Sequence, residues 1–117
     1  MSTSARGQPH PRNFGAHARL LQKYVREENL VSLATAIHKS TLAPAERLGL
    51  VDRGRIAEHA KADIVVFDFS EICERATWTE PCQLATGVRH VWINGHHILA
   101  DAKLTGARAG RVLLRNR

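Results

Sequence analysis

Apolar residues recur at helical spacing through the first fifty positions and give way to short extended runs afterwards. Phe14, Leu20, Leu21, Tyr24 and Val25 share one side of a helical projection, with Arg19, Gln22, Lys23 and Arg26 on the other. This pattern predicts an amphipathic helix from an N-cap at Asn13 to the vicinity of Glu28. Ser32 caps a second, shorter helix through Leu33, Ala36 and Ile37. Ala43-Pro44, behind Thr41, opens a third, because proline is tolerated in a first helical turn, and Gly49 closes it. Ahead of these helices, residues 1–12 form a polar lead-in loop in which Pro9 and Pro11 hold His10 in extended backbone.

Beyond Leu50 the period changes. Gly54-Arg55-Ile56 reads as a short extended piece. Ile64-Val65-Val66-Phe67, bounded by Asp63 and Asp68, is too short for a helix and rich in β-branched residues, so it predicts a buried strand. Residues 70–87 are irregular, with a helical turn available at Ser70–Cys73. Val88–Ile93, Asn94-Gly95 and His96–Leu99 form the clearest local signal, because Asn-Gly supplies the two positive-φ positions of a type I′ hairpin. A two-residue turn places Ile93 opposite His96, Trp92 opposite His97 and Val91 opposite Ile98. Arg111–Arg115 reads as a final strand. Helices followed by strands predict an α+β chain. So few, short strands are poorly stable uncovered, so partner strands are expected from elsewhere.

Composition narrows the functional classes. The chain has 117 residues, suiting one domain, with 44% hydrophobic and 24% charged residues. No apolar run approaches a membrane helix and the N-terminus has no apolar signal core, so a cytoplasmic protein is expected. Two cysteines, Cys73 and Cys82, are too few for a disulfide framework and read as reduced thiols. The net charge is +6, yet basic residues alternate with acids. Only the tail, with Arg108, Arg111, Arg115 and Arg117, is locally basic, so neither nucleic acid nor membrane is expected as a partner.

Chemistry-bearing motifs are sparse. Seven histidines include no H-x-H or H-E-x-x-H pair, and the adjacent His96 and His97 of a strand point to opposite faces. His10, His17 and His38 are tied together by nothing in the sequence. No nucleophile elbow or phosphate loop is present. No catalytic or metal-ligating residue is therefore assigned. Arg12, held behind Pro11 at a helix start, is the one residue placed to make a bidentate contact with a carboxylate.

Several stretches together resemble a known family. Gly54-Arg55-Ile56-Ala57 with Lys61-Ala62-Asp63-Ile64-Val65-Val66-Phe67-Asp68 is similar to the C-terminal signature of the amidohydrolase superfamily. His10-Pro11-Arg12-Asn13-Phe14-Gly15, then Leu20-Leu21 and Tyr24-Val25-Arg26-Glu27, resemble the D-aminoacylase, or N-acyl-D-amino-acid deacylase, branch. So do Pro44–Leu50 and the ending Leu104–Leu113, and the likeness runs from residue 8 to 115. Ala16-His17-Ala18 departs from the branch, whose members usually carry Thr-Phe-Pro there.

The resemblance implies a metal-dependent (β/α)₈ barrel inserted into a small β-sandwich built from both chain ends. Residues 13–50 would be the last barrel helices and residues 51–117 the C-terminal sandwich segment. Zinc in the complete parent enzyme, its ligands and the catalytic Asp would all lie upstream; Met1–Gly7 contains no Asp. The isolated chain, with no cofactor of its own, is then expected to be inactive. Its partner would be the missing N-terminal barrel portion, carried on a separate chain. Arg12 would bind the carboxylate of an N-acyl-D-amino acid and His10 would support its loop. Two other readings compete: a non-catalytic interaction module, and a fragment of a hydantoinase- or dihydropyrimidinase-like amidohydrolase.

Overall fold

A computed structural model describes residues 9–114. Helix α1 spans Arg12–Arg19 and continues without a break into a π-helical stretch, Leu20–Glu27; α2 (Leu33–Ser40) and α3 (Leu42–Leu48) follow. The strands are β1 (Ile64–Phe67), β2 (Val88–Ile93), β3 (His96–Ala100) and β4 (Lys103–Leu104). They form one antiparallel sheet in the order β1-β2-β3-β4. The α+β class expected from the sequence is what the chain adopts. None of its described helices is long and apolar enough to cross a membrane.

The first helix begins earlier than Asn13. Pro11, already helical at φ −52°, takes the N-cap position. The first-turn N–H groups are satisfied locally: Arg12 N donates to His10 Nδ1 (3.0 Å) and Asn13 N to the His10 carbonyl (3.0 Å). With those donors occupied, no cap at Asn13 is required. Arg12, placed in the lead-in by sequence, is thus the first helical residue. The earlier lead-in, through residue 8, lies outside the described residues. The second half of the predicted helix is π rather than α: Glu28 N donates to the Lys23 carbonyl, five residues back (2.8 Å). Ser32 does cap α2, accepting from Thr35 N at 3.1 Å, and Gly49 ends α3 in the left-handed region at φ 73°.

The helices pack on one another, the strands pair with one another, and the two sets meet at a single apolar cluster. The joint is the segment between β1 and β2. Ile72 from that segment enters a cluster with Ala18, Leu21, Val25 and Ala36, bordered by Phe67, Phe69 and Val88. Polar contacts reinforce it. Arg26 Nη1 donates to the carbonyls of Phe69 (2.7 Å) and Ser70 (3.1 Å), and Gln22 Oε1 accepts from Glu74 N (2.8 Å). Arg26 and Gln22, expected on a solvated face, therefore hold the joint.

Four further sequence expectations need correction. Gly54–Ile56 is a bend, with Gly54 at φ 80°, and not an extended piece. β1 is an edge strand rather than a buried one: it has a single partner, so Val65 and Val66 stay exposed. In the hairpin, Ile93 faces His96 and Trp92 faces His97 as expected, but Val91 faces Leu99. An extra residue, Ile98, bulges from β3, and its carbonyl and that of His97 are taken by Thr105. Residues 111–114 form no strand, and Arg115 lies outside the described residues. The preceding tail runs past the hairpin turn, where Asn94 Nδ2 donates to the Ala109 carbonyl (2.7 Å), and finds no strand to pair with.

The sheet remains largely uncovered. The accessible surface is 9193 Å², against about 6,300 Å² for a compact protein of this mass. The radius of gyration is 15.4 Å, where about 13 Å is usual for a compact chain of this length. Val88, Val91, Ile98, Leu99, Leu84 and Leu104 line an open groove of about 660 Å³ on the sheet. The groove is apolar and open to solvent, as a sheet face without a packing partner is.

Two local features carry predictions. Asp101 and Ala102 both have positive φ (47° and 61°) in the turn between β3 and β4, and Gly87 sits at φ 84° with no room for a Cβ beside the Ile72 backbone (2.5 Å). Ala102→Gly should stabilise the chain by up to about 1 kcal/mol, and Gly87→Ala should cost about 2 kcal/mol or more, in urea unfolding. Asp68 accepts from Ser70 Oγ (2.6 Å) and Ser70 N (2.9 Å). The Ser70 hydroxyl, and then its N–H, hold the Asp68 carboxyl below the ordinary carboxylate range. A lowered folded pKa stabilises the fold above the unfolded value, about 3.9, and that stability is lost as pH falls through the folded value. Asp68→Asn should flatten the acid limb of a plot of urea midpoint against pH; an unchanged limb would refute the assignment.

Candidate functional site

The helix start and the segment after the joint enclose a cleft of about 510 Å³, lined by His10, Arg12, Arg19, Glu74, Trp78 and their neighbours. Both residues selected from sequence, Arg12 and His10, line it. The imidazole of His10 is fixed at two points. Its Nδ1 accepts from Arg12 N, which leaves the ring proton on Nε2, and the ring meets Trp78 edge-on at 4.6 Å between centroids. Arg12 is exposed, and no carboxylate among the described residues pairs with its guanidinium.

Across the cleft Arg19 is committed to protein. Its Nη1 donates to Glu74 Oε2 at 2.9 Å. That hydrogen bond to Glu74, followed by one to Tyr24, raises the Arg19 guanidinium pKa above its ordinary value. Glu74 is held by its backbone bond to Gln22 and lies against Gly15, where a Cβ would come within 2.6 Å of Oε1. The cleft thus presents one guanidinium without a protein carboxylate, one neutralised guanidinium and an aromatic wall. Such an arrangement suits a small anion bearing an apolar group. Trp78, Arg19 and Glu74 were not singled out in the sequence. They reach the cleft only through the joint between helices and sheet, a contact some 55 residues long-range that leaves no local pattern.

The other chemistry-bearing residues do not converge here. His17 and His38 are exposed on α1 and α2. Among the described residues, no three of His, Cys, Asp or Glu are placed to hold a metal ion. A metal centre built from three such ligands does not fit the described residues, and no chemical step is assigned to one. Cys73 and Cys82 are unpaired thiols.

Known proteins resemble this chain in both sequence and structure. The sequence profile of the Amidohydrolase family matches residues 1–98. The chain belongs to the amidohydrolase family. It is 45% identical over 108 residues to an N-acyl-D-glutamate deacylase of Alcaligenes xylosoxydans xylosoxydans, covering 92% of this chain and 22% of that protein. An N-acyl-D-aspartate deacylase of the same organism is 42% identical over 106 residues, covering 90% of this chain and 21% of that protein. In structure the chain is similar to D-aminoacylase, with a TM-score of 0.87 at 40% identity over 92% of this chain and 23% of the other. It is also similar to an N-acyl-D-glutamate deacylase from Bordetella bronchiseptica, solved with zinc and a phosphonate mimic of the tetrahedral intermediate (TM-score 0.81, 39% identity, 92% of this chain and 22% of that one). This amidohydrolase chain spans between a fifth and a quarter of the length of these relatives.

The cleft yields one prediction on the chain itself. His10→Ala should cost about 0.5–1 kcal/mol of stability in urea unfolding, the scale of a lost helix cap. An unchanged urea midpoint would show that the His10 imidazole does not support the helix start.

Proposed function

We propose that this chain is the substrate-carboxylate and scaffold end of an N-acyl-D-amino-acid deacylase. Arg12 receives the carboxylate of the amino acid, and His10 sets the pose of its loop. The observation that carries this reading is the Arg12 guanidinium, held at a helix start in a cleft without a protein carboxylate beside it. The similarity to deacylases acting on N-acyl-D-glutamate and N-acyl-D-aspartate, both carboxylate-bearing compounds, supports it.

In this reading residues 13–50 are the last helices of the (β/α)₈ barrel and residues 51–117 the C-terminal segment of a β-sandwich. The uncovered apolar groove on the sheet supports the second assignment, because a sandwich segment alone leaves one face unpartnered. The metal and the acid–base groups belong to the remainder of the enzyme. This chain binds and orients; by itself it does not hydrolyse amides. The same groove favours a second reading, a module that recruits another protein without taking part in catalysis.

Combination with the barrel portion of a relative separates the two. The carboxylate reading expects the combined protein to hydrolyse N-acetyl-D-glutamate, and Arg12→Met to lower kcat/KM by about 10- to 100-fold, the worth of a charged hydrogen-bonded contact. A combined enzyme indifferent to Arg12 would remove the carboxylate assignment. Hydrolysis by the chain alone would overturn the scaffold assignment. The DNA upstream of Met1 supplies an independent check: a barrel-coding frame with an H-x-H motif, in frame or adjacent, is expected.

A further inference from the structure

A second cluster lies on the sheet, away from the carboxylate cleft. His90 on β2 and His97 on β3 bring His90 Nδ1 and His97 Nε2 to 3.2 Å. Trp92 stacks on His97 at 4.3 Å with the planes 6° apart, and it lies 5.6 Å from His90. His90 and Trp92, two apart on β2, share one face of the sheet, and His97 stands opposite Trp92, which places it diagonal to His90.

We propose that His90 and His97 form a two-imidazole site for a borderline divalent cation, of the copper(II), nickel(II) or zinc class. Imidazole nitrogens bind such ions at about 2.0–2.1 Å, so two of them 3.2 Å apart subtend about 100° at a shared ion. That angle lies between the square-planar and tetrahedral values. The Asp101 carboxylate stands 3.6 Å from His90 Nε2, the nitrogen facing away from His97. At that distance, and with its side chain 90% exposed, the carboxylate makes no hydrogen bond to the ring and attracts a bound cation only weakly. The Asp101 N–H lies 3.4 Å from His90 Nδ1, a long contact that an ion would displace together with the bond between the imidazoles. Both imidazoles are half-buried, so water reaches the remaining coordination positions. His96, adjacent in sequence, is exposed and makes none of these contacts.

Trp92 is a built-in reporter. In the full chain carrying Trp78→Phe, Trp92 is the only tryptophan, and copper(II) should quench its emission saturably with one equivalent. His90→Gln and His97→Gln should each weaken the binding seen by quenching at least about tenfold, Asp101→Asn by no more than about twofold, and His96→Gln not at all. Nickel(II) and zinc should compete, and magnesium should not. Electron paramagnetic resonance of the unsubstituted chain with one equivalent of copper(II) should show two coordinated nitrogens. Quenching that is unsaturable, or equal in the unsubstituted and His97→Gln chains, overturns the site. Where circular dichroism shows a substituted chain to be unfolded, the nitrogen count in the unsubstituted chain decides, and any count other than two overturns the proposal.

Discussion

The row Arg19, Gln22 and Arg26 along the first helix holds the two halves of this molecule together. Each takes a partner from residues 69–74: the Glu74 carboxylate, the Glu74 backbone, and the Phe69 and Ser70 carbonyls. Phe67 of β1 and Val88 of β2 border the apolar cluster beside this segment, so the sheet is positioned at this one joint. Ile72, buried between the arginines and the small residues Ala18 and Ala36, supplies the apolar part of the same joint. Polar groups with defined geometry fix orientation where so small an apolar cluster could only hold the halves close.

The candidate cleft depends on the same joint. Arg12 and His10 are delivered by the helix start, and Trp78 and Glu74 by the chain just after the joint. A shift between the halves would part the His10 and Trp78 rings and release Arg19 from Glu74. The cleft is therefore a tertiary feature, although its single unmatched guanidinium comes from a local motif. The chain spans less than a quarter of the length of the deacylases it resembles.

A second network fixes the far end of the sheet. Arg53 pairs with Asp63 and donates to Asn94 Oδ1 (2.6 Å), while Asp63 Oδ1 accepts from Asn94 N (2.7 Å). Gly95 N donates to the Ala62 carbonyl (2.9 Å). The Asn-Gly turn thus serves two purposes, closing the hairpin and anchoring the connection from α3. Within that frame the Trp92–His97 pairing and strand alternation place His90, Trp92 and His97 on one face.

The sequence by itself determined the local elements whose signals are written in adjacent residues. The Ser32 cap, the Gly49 helix end, the Asn94-Gly95 turn and the Trp92–His97 pair all depend on backbone preferences acting over a few positions. It also carried the Arg12 motif and the family relationship. Other features were decided only in three dimensions. Ala102 has positive φ, which alanine does not favour, and its N–H is held by the bulged Arg89 carbonyl. The register step at Ile98, the exposure of β1 and the failure of residues 111–114 to form a strand turn on which neighbours were within reach. Hydrogen-bond partners distant in the chain leave no periodic trace, so the joint and the cleft could be found only once the chain had folded back on itself.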